Sequence, residues 1–314
     1  MEKKARVLVT GASGFLGKNT IPLLEKHGYI VETLGRGAAP FPDLKHYTLD
    51  ISRETPTEAV MGADAIVHLA SDVSIAASIQ NPSEYIKNTL SITLNVLEAC
   101  RQSKRAPLFV FLSSDRVYGK ESNTVNEQSP VFPIEPYVAT KIMGETAVAT
   151  YGHLLTMPYI VLRASAFFGP HQPRRGFIAD IICKMLEQDK IVVGPLQGVK
   201  NFTYVCNVAD AILASLTAEE AARNCIYNIG GEPLSLTQVL EDVRTIIQSL
   251  MHRTIRVDID HSIQIPTKHD IGPFTLSTNA AKKHLHWKER VTLQEGLEET
   301  IDYFRRTLKN PNNT

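Results

Sequence analysis

Tyr137 and Lys141 are four residues apart in a segment whose pattern predicts a helix over Tyr137–Tyr151, so their side chains share one face. A tyrosine hydroxyl titrates near ~10, and an ammonium group about 4 Å away would favour the ionised form by about 4 kcal/mol. That energy corresponds to roughly three pKa units. We therefore expect a tyrosine that exchanges a proton with a ketone or an alcohol while a hydride moves at the carbon. The alternative is a packing tyrosine with a solvated lysine.

Ser113 and Ser114 stand at the end of the predicted strand Leu108–Ser113. Ligands of open α/β sheets bind at the carboxyl ends of the strands, so a serine here is placed to contact a ligand. Its hydroxyl could hold the reacting oxygen beside Tyr137. The alternative is an ordinary strand-to-loop turn, where serine is frequent.

A glycine-rich segment, Thr10–Gly17, follows the apolar run Val7–Val9. Glycines at these spacings allow a tight turn, close approach of a pyrophosphate and close packing of helix on strand. The helix that follows presents free N–H groups to an anion, and a second strand, Tyr29–Leu34, completes a βαβ unit. The segment predicts dinucleotide binding by Gly11, Ser13, Gly14, Phe15, Leu16 and Gly17.

The end of the second strand carries Gly35 and Arg36, where an acidic residue would bind the ribose hydroxyls of NAD. An arginine can instead pair with the 2′-phosphate of NADP. We therefore expect NADP as cofactor, with NAD possible. The alternative is a surface arginine beside a turn glycine.

Strand-like runs alternate with helical patterns through residue 163, which predicts a parallel sheet covered on both faces. The fold class is α/β, a doubly wound parallel (Rossmann) sheet with a smaller C-terminal α/β substrate lobe. We place the nucleotide-binding domain at residues 1–168. Residues 169–314 form mostly the lobe, with some segments returning to the core. The predicted strands are Arg6–Thr10, Ile30–Leu34, His46–Leu49, Ala65–Leu69, Leu108–Ser113, Tyr159–Arg163, Ile191–Val193, Phe202–Val205 and Ile226–Ile229. The longer helices are Ser83–Ser103, Tyr137–Tyr151, Ile178–Glu187 and Leu293–Leu308.

The bulk composition narrows the function classes. With 33 basic and 33 acidic residues in 314, and no basic block, a nucleic-acid partner is not expected. The four cysteines are scattered, so we expect neither a zinc site nor disulfides, and no metal. Met1–Arg6 leads straight into a strand and no apolar run has transmembrane length, so we expect a cytoplasmic protein without a membrane partner. The polar segment Met251–Phe274 is interpreted as loop.

Taken together, these motifs resemble the extended short-chain dehydrogenases/reductases, and within them the sugar-nucleotide epimerase/dehydratase/reductase group. The resemblance covers nearly the whole chain and includes Thr10–Gly17, Asp50-Ile51, His68–Ala70, Asn88, Asn95–Ala99, Ser113–Gly119, Tyr137–Lys141, Leu162-Arg163, Gly169-Pro170, Val208–Asp210 and Tyr227–Gly231. It implies Ser114, Tyr137 and Lys141 as the catalytic triad. Ser114 is the match because it stands three residues before Val117.

The same resemblance implies further cofactor contacts and an assembly. Asp50 and Ile51 would flank the adenine, and Asn88 would help to order the site. The nicotinamide side would be lined by Leu69, Ala70 and Ser71. The expected partner is a small molecule, a nucleotide sugar, and the expected assembly is a homodimer.

Asp115 and Arg116 depart from the pattern of the related 4,6-dehydratases, in which an acid and then a glutamate base follow the catalytic Ser/Thr. The acid is present, but Arg116 occupies the place of the base and cannot accept a proton. Dehydration is therefore not expected. Asp115 could act as an acid/base or bind a sugar hydroxyl, or the two residues could form a salt bridge that shapes the loop.

The smaller lobe departs from the pattern too. Ala166 replaces an asparagine, and Asn201 stands where many relatives carry a diphosphate-binding arginine. Arg174 and Arg175 could supply that charge from a loop. His171 stands where related epimerase-reductases carry an acid, and its other interpretation is a solvent-exposed loop histidine.

The leading hypothesis is an NADP-dependent ketoreductase acting on a nucleotide-linked 4-keto-6-deoxy sugar, with Tyr137 as proton donor. An epimerase with permanently bound NAD is the first alternative, and a non-catalytic dinucleotide-sensing protein is the second. Asp115 at an unperturbed pKa near ~3.9 is a weak base, which favours reduction without epimerisation.

Overall fold

The computed structural model describes residues 4–121, 123–263 and 273–309. In chain order the strands are β1 Arg6–Thr10, β2 Ile30–Gly35, β3 Lys45–Thr48, β4 Ala65–His68, β5 Leu108–Ser114, β6 Thr124–Val125, β7 Tyr159–Ala164, β8 Ala166–Phe168, β9 Lys190–Val193, β10 Val199–Tyr204, β11 Cys225–Ile229, β12 Pro233–Ser235, β13 Arg256–Ile259 and β14 Thr275–Leu276. The α-helices are α1 Phe15–Lys26, α2 Thr57–Met61, α3 Ile75–Gln80, α4 Pro82–Ser103, α5 Pro136–Leu155, α6 Phe177–Glu187, α7 Val205–Leu216, α8 Leu236–Met251, α9 Asn279–His284 and α10 Leu293–Lys309.

The large sheet has seven strands in the order β11-β7-β5-β4-β1-β2-β3, and every neighbouring pair is parallel. The predicted doubly wound sheet is therefore confirmed. Its strand order reverses between β1 and β4, which is where ligands of such sheets bind. Because the strands are parallel, Thr10, His68 and Ser114 end at the same edge.

Both faces of this sheet are buried, which explains the continuous apolar strands. Along β1, Val7 and Val9 enter one hydrophobic core while Leu8 enters the other, because successive side chains of a strand point to opposite faces. Helices α1 and α7 pack together, and so do α4 and α5. The two layers fix the helix starts at the ligand-binding edge.

The lobe is built from smaller sheets. Strand β8 pairs with β10, which pairs antiparallel with β12, while β9 pairs with β13 and β6 with β14. The chain returns to the large sheet at β11, beside β7. The domain boundary at residue 168 stays a prediction.

The interpretation of Met251–Phe274 as loop is wrong in part, because β13 lies within it and pairs in parallel with β9. The alternation in Arg256–Ile259 spans only four residues, and its strand partner is distant in sequence. Residues 264–272 of the predicted loop lie outside the described residues. Helices α7 and α8 add to those predicted.

Candidate active site

Ser114, Tyr137 and Lys141 come together where β5 ends and α5 begins. Ser114 closes β5 and its Oγ accepts a hydrogen bond from the Arg116 backbone N–H at 3.2 Å. Tyr137 lies near the first turn of α5, and the Ser114 hydroxyl acts on it to lower its pKa. All three side chains belong to residues that are less than a tenth exposed. The neighbouring Ser113 donates instead to the buried carboxylate of Glu145.

The expectation that Lys141 brings the Tyr137 hydroxyl near neutrality is wrong in this structure. Burial raises the pKa of Tyr137 to about 12, although the Ser114 hydroxyl and the Arg116 guanidinium lower it. The Lys141 Nζ lies 5.9 Å from the centroid of the Tyr137 ring and donates to the Leu112 carbonyl at 2.9 Å. Sequence spacing places the two residues on one face but does not reveal how strongly burial opposes ionisation.

Lys141 itself is strongly perturbed. Burial lowers the pKa of Lys141 to about 8, and the Glu145 carboxylate acts in the opposite direction. The group is therefore mostly charged at pH 7 and loses its charge as the pH rises through about 8.

Asp115 follows Ser114 and is 3 % exposed. Burial raises the pKa of Asp115 to about 7, against the opposing effects of Arg116, Lys200 and Ser114. The expectation built on an unperturbed carboxyl therefore fails, because this group exchanges a proton near neutral pH.

Arg116 forms an ion pair with Glu135: its Nε donates to Glu135 Oε1 at 2.8 Å. The Glu135 side chain is fully buried and stands at the N-cap of α5, two residues before Tyr137. The pair thus fastens the turn that carries Asp115 to the start of α5.

The glycine-rich loop has the shape that a dinucleotide requires. Gly11 has a φ of +73°, and a Cβ there would lie 2.8 Å from the Ala70 nitrogen. A Cβ at Gly17 would lie 2.6 Å from the Ala12 carbonyl oxygen. Gly14 caps α1 without a side-chain hydrogen bond, which leaves the N–H groups of the first turn to an anion. These residues fit NAD or NADP.

The rest of the loop connects the two parts of the molecule. Ser13 and Gly14 are exposed, whereas Leu16 and Gly17 are buried. The Phe15 ring stacks on Phe167 of β8, with centroids 5.3 Å apart.

The predicted adenosine end lies beyond β2 and β3. Arg36 is exposed. Asp50 Oδ1 accepts hydrogen bonds from the Ser52 backbone and hydroxyl, which together with the charge of Arg36 lower the pKa of Asp50. Ile51 is buried, and its carbonyl accepts from Asn95 Nδ2 at 2.9 Å.

The predicted nicotinamide side lies beyond β4, where Leu69, Ala70 and Ser71 are half-buried. The Thr10 hydroxyl accepts from the Ala70 N–H and lies 2.9 Å from His68 Nδ1. Burial and the charge of Lys141 lower the pKa of His68 to about 3, so this histidine is neutral. Asn88 is exposed on α4.

Of the ligand-binding residues predicted in the smaller lobe, His171 and Arg174 contact other side chains of this chain. His171 is exposed, with Nδ1 3.3 Å from the Tyr303 hydroxyl. Arg174 pairs with Glu187 at 2.8 Å, and Arg175 is exposed.

Asn201 uses its side-chain amide on the backbone: Nδ2 donates to the Phe274 carbonyl and Oδ1 accepts from the Leu276 N–H. The adjacent Lys200, which the sequence interpretation missed, acts electrostatically on Asp115. Lys200 and Asn201 are successive residues of β10, so their side chains point to opposite faces of the strand. This alternation is the sequence signal that could have separated Lys200 from Asn201. As a ligand contact, Asn201 stays a prediction.

Over residues 4–121, 123–263 and 273–309, no group of three or more His, Cys, Asp or Glu side chains is arranged to hold a metal ion. Within the same ranges, none of the helices combines the length and apolar character needed to cross a membrane.

Comparison with known proteins gives a consistent result. Residues 7–230, more than half of the chain, match the NAD dependent epimerase/dehydratase family. A UDP-glucuronate 4-epimerase of Thermodesulfobacterium geofontis is 26% identical, over 96% of this chain and 97% of its own. The structure of a Thermus thermophilus UDP-glucose 4-epimerase in complex with NAD superposes with a TM-score of 0.79, at 26% identity, over 96% of this chain and 99% of that chain.

A third relative is a longer protein. A trifunctional Arabidopsis thaliana enzyme, named as a UDP-glucose 4,6-dehydratase, UDP-4-keto-6-deoxy-D-glucose 3,5-epimerase and UDP-4-keto-L-rhamnose-reductase, is 28% identical over 95% of this chain. The chain spans 46% of that protein, about half its length. The family match and the shared fold lead to one conclusion: this chain is an enzyme of the NAD dependent epimerase/dehydratase family.

Proposed function

We propose that this chain is a nucleotide-sugar 4-epimerase. The observation that carries the proposal is the buried group of Ser114, Tyr137 and Lys141 at the same sheet edge as the glycine-rich loop. Two relatives named as 4-epimerases match along nearly their whole length, which supports the same reaction here. A dinucleotide sensor would need none of the three side chains.

In the proposed reaction Tyr137 takes a proton from the sugar C4 hydroxyl, to which Ser114 also forms a hydrogen bond. When bound, an oxidised nicotinamide dinucleotide supplies a hydride acceptor and a positive charge at this corner. Tyr137 must ionise from a pKa of about 12, so every nearby cation assists it. Lys141 contributes such a charge below pH 8. In the 4-epimer the hydride would stand on the opposite face of C4, and Tyr137 would have returned its proton to the C4 oxygen.

Dehydration is not part of the proposal. Removal of a proton at C5 requires a base, and the guanidinium of Arg116 cannot accept a proton. Its ion pair with Glu135 further ties the residue to the start of α5. Asp115 and Lys200 are the groups beside the triad that could bind sugar hydroxyls and the diphosphate.

The second candidate is the NADP-dependent ketoreductase acting on a nucleotide-linked 4-keto-6-deoxy sugar. Arg36, exposed at the end of β2 with Gly35 before it, is the observation that favours it, because this charge suits a 2′-phosphate. A reductase consumes its cofactor and must exchange it, whereas a 4-epimerase returns the hydride to the same substrate.

The test is incubation with UDP-glucose, UDP-glucuronate, their dTDP and GDP analogues and, together with NADPH, the corresponding nucleotide-linked 4-keto-6-deoxy sugars, analysed by mass spectrometry and NMR. A 4-epimerase converts a sugar to its epimer without net consumption of NAD(P)H. A ketoreductase acts only on 4-keto-6-deoxy sugars and oxidises one NADPH per product. Absence of both reactions from the purified, cofactor-loaded enzyme contradicts both candidates.

Deuterium oxide distinguishes a third outcome. Neither reaction places solvent deuterium on carbon, because the transferred hydride comes from the substrate or from NADPH and does not exchange with water. Deuterium at C3 or C5 that disappears in Asp115→Asn or His171→Asn would assign those residues to epimerisation beside the ketone and displace the proposal.

We propose a cytoplasmic homodimer as the working form. Cys100, Cys183, Cys206 and Cys225 are all free thiols in the described part of the chain, which is compatible with a reducing compartment. Sedimentation of the purified chain checks the dimer.

A further inference from the structure

Glu145 and Arg163 form an ion pair under the active site. Glu145 lies one turn beyond Lys141 on α5, and Arg163 lies on β7. Arg163 Nη2 donates to Glu145 Oε2 at 2.7 Å, and its Nε donates to Oε1 at 3.0 Å. Both residues are less than a tenth exposed. Burying two charges is costly and is often no better for stability than apolar packing. The pair therefore calls for a reason other than stability.

The carboxylate of Glu145 also reaches the strand that bears the catalytic serine. Ser113, which precedes Ser114 on β5, donates its hydroxyl to Glu145 Oε1. One carboxylate thus links β5, α5 and β7. This bracing limits how α5 can rotate relative to Ser114.

Arg163 extends the contact to Tyr118 and to the edge strand β11 of the large sheet. Its Nη1 donates to the Tyr118 hydroxyl at 3.0 Å, and that hydroxyl donates to Asn228 Oδ1 at 2.7 Å. Tyr118 ends the short helical turn that carries Asp115, and Asn228 lies on β11. The ion pair is the centre of a buried chain of polar contacts that runs from the catalytic helix to β11.

The groups that face Lys141 come from several elements. Tyr137 and Glu145 belong to α5, the neutral His68 to β4, and the Phe111 ring to β5, with its centroid 5.4 Å from Nζ. Arg163 reaches the lysine only through Glu145. Among the charges that act on Lys141, the Glu145 carboxylate is the one that favours its protonated form.

We propose that Glu145, fixed by Arg163, is a positioning residue that supplies the counter-charge for Lys141 and keeps the buried ammonium protonated and directed at the catalytic corner. The inference rests on the proposed function only through the role of Lys141. Removing the carboxylate destabilises the charged amine, so the pKa of Lys141 falls from about 8. Lys141 then loses its charge within the neutral range.

The experiment is a pH titration of the full chain labelled with carbon-13 at the lysine Cε, read by NMR. The resonance missing from Lys141→Met identifies Lys141. In Glu145→Gln we expect the midpoint to fall by about one pH unit, and the alkaline limb of kcat to move with it. Glu98→Gln, which removes a carboxylate paired with Arg101 on α4, is the matched control and should leave the midpoint unchanged.

A folded Glu145→Gln protein with the wild-type midpoint would overturn the inference. Where the unpaired Arg163 prevents folding, the double variant Glu145→Gln with Arg163→Met removes both members of the ion pair, and a fall in the Lys141 midpoint is again expected. An unchanged midpoint in that double variant also contradicts the inference. The titration needs no substrate. If the enzyme is inactive on every nucleotide sugar, the proposed function is refuted, and the titration still tests the inference about Glu145.

Discussion

The edge of the large sheet carries an aspartate and an arginine at each of two sites, and the two sites behave differently. At the catalytic corner Asp115 is buried and its pKa is raised to about 7, while Arg116 is bound to Glu135. At the adenosine end the Asp50 side chain is 30% exposed and its pKa is lowered, while Arg36 is exposed.

The difference shows that burial, rather than residue type, decides what these charges can do. A carboxyl held near pH 7 exchanges protons, whereas an exposed one that accepts hydrogen bonds stays an anion. An exposed arginine is available to a phosphate, whereas a half-buried one paired with a buried carboxylate shapes the protein. We therefore assign proton chemistry to the first site and cofactor recognition to the second.

The largest expected effect tests the catalytic corner. Tyr137→Phe keeps the ring that packs there but removes the transferable proton, so turnover should fall by about 10²–10⁴-fold. Dinucleotide affinity should change little. Steady-state kinetics and a fluorescence titration of the cofactor measure both. Near-wild-type turnover would move the proton-transfer role to another acid, with Asp115 first to be examined.

A smaller effect is expected at the adenosine end. Arg36→Ala removes the proposed partner of a 2′-phosphate and should weaken NADPH binding by about ten- to a hundredfold, with NADH unaffected. Arg53→Ala is the matched control, because Arg53 also lies near Asp50 and is exposed. Calorimetric titration of NADPH and NADH into wild type, Arg36→Ala and Arg53→Ala measures these affinities. Equal preference for the two cofactors in wild type would show that Arg36 takes no part in selection.

The smallest expected effect concerns stability: ionisation of Asp115 and ionisation of Asp50 should change the stability of the fold in opposite directions. The raised pKa of Asp115 means that the folded protein binds its proton more tightly than the unfolded chain does. Stability is therefore lost as the pH rises from about 4 to about 7. Asp115→Asn should thus raise Tm at pH 8 by a few degrees relative to its effect at pH 4.

Asp50→Asn provides the contrast. The lowered pKa of Asp50 gives stability that is present above its ordinary value and is lost in acid, so its replacement should not raise Tm at pH 8. Thermal unfolding of both variants at pH 4 and pH 8 measures the difference. A shift of the same sign in both would mean that the two sites are not electrostatically distinct.

Local patterns predicted much of this molecule. The glycine-rich loop and the apolar strands are set by spacing within a few residues, so Arg6–Thr10 was predicted with its observed bounds. Burial of Tyr137 and Asp115 depends on elements that are distant in sequence, and so does the contact between Arg116 and Glu135, 19 residues apart. Residue spacing contains no information about desolvation, which reversed the expected shift of the Tyr137 pKa and raised the pKa of Asp115, where no shift was expected.

The return of the chain to the large sheet at β11 limits how this enzyme can be divided. A fragment that ends at residue 168 leaves β7 as an edge strand with unpaired backbone groups, a surface prone to aggregation. It also lacks α7, which covers α1. Neither part is therefore a module that can be exchanged by a single crossover at that point. A chimera that borrows the substrate lobe of a relative must keep residues 205–229 with the nucleotide-binding part, and so needs at least two junctions.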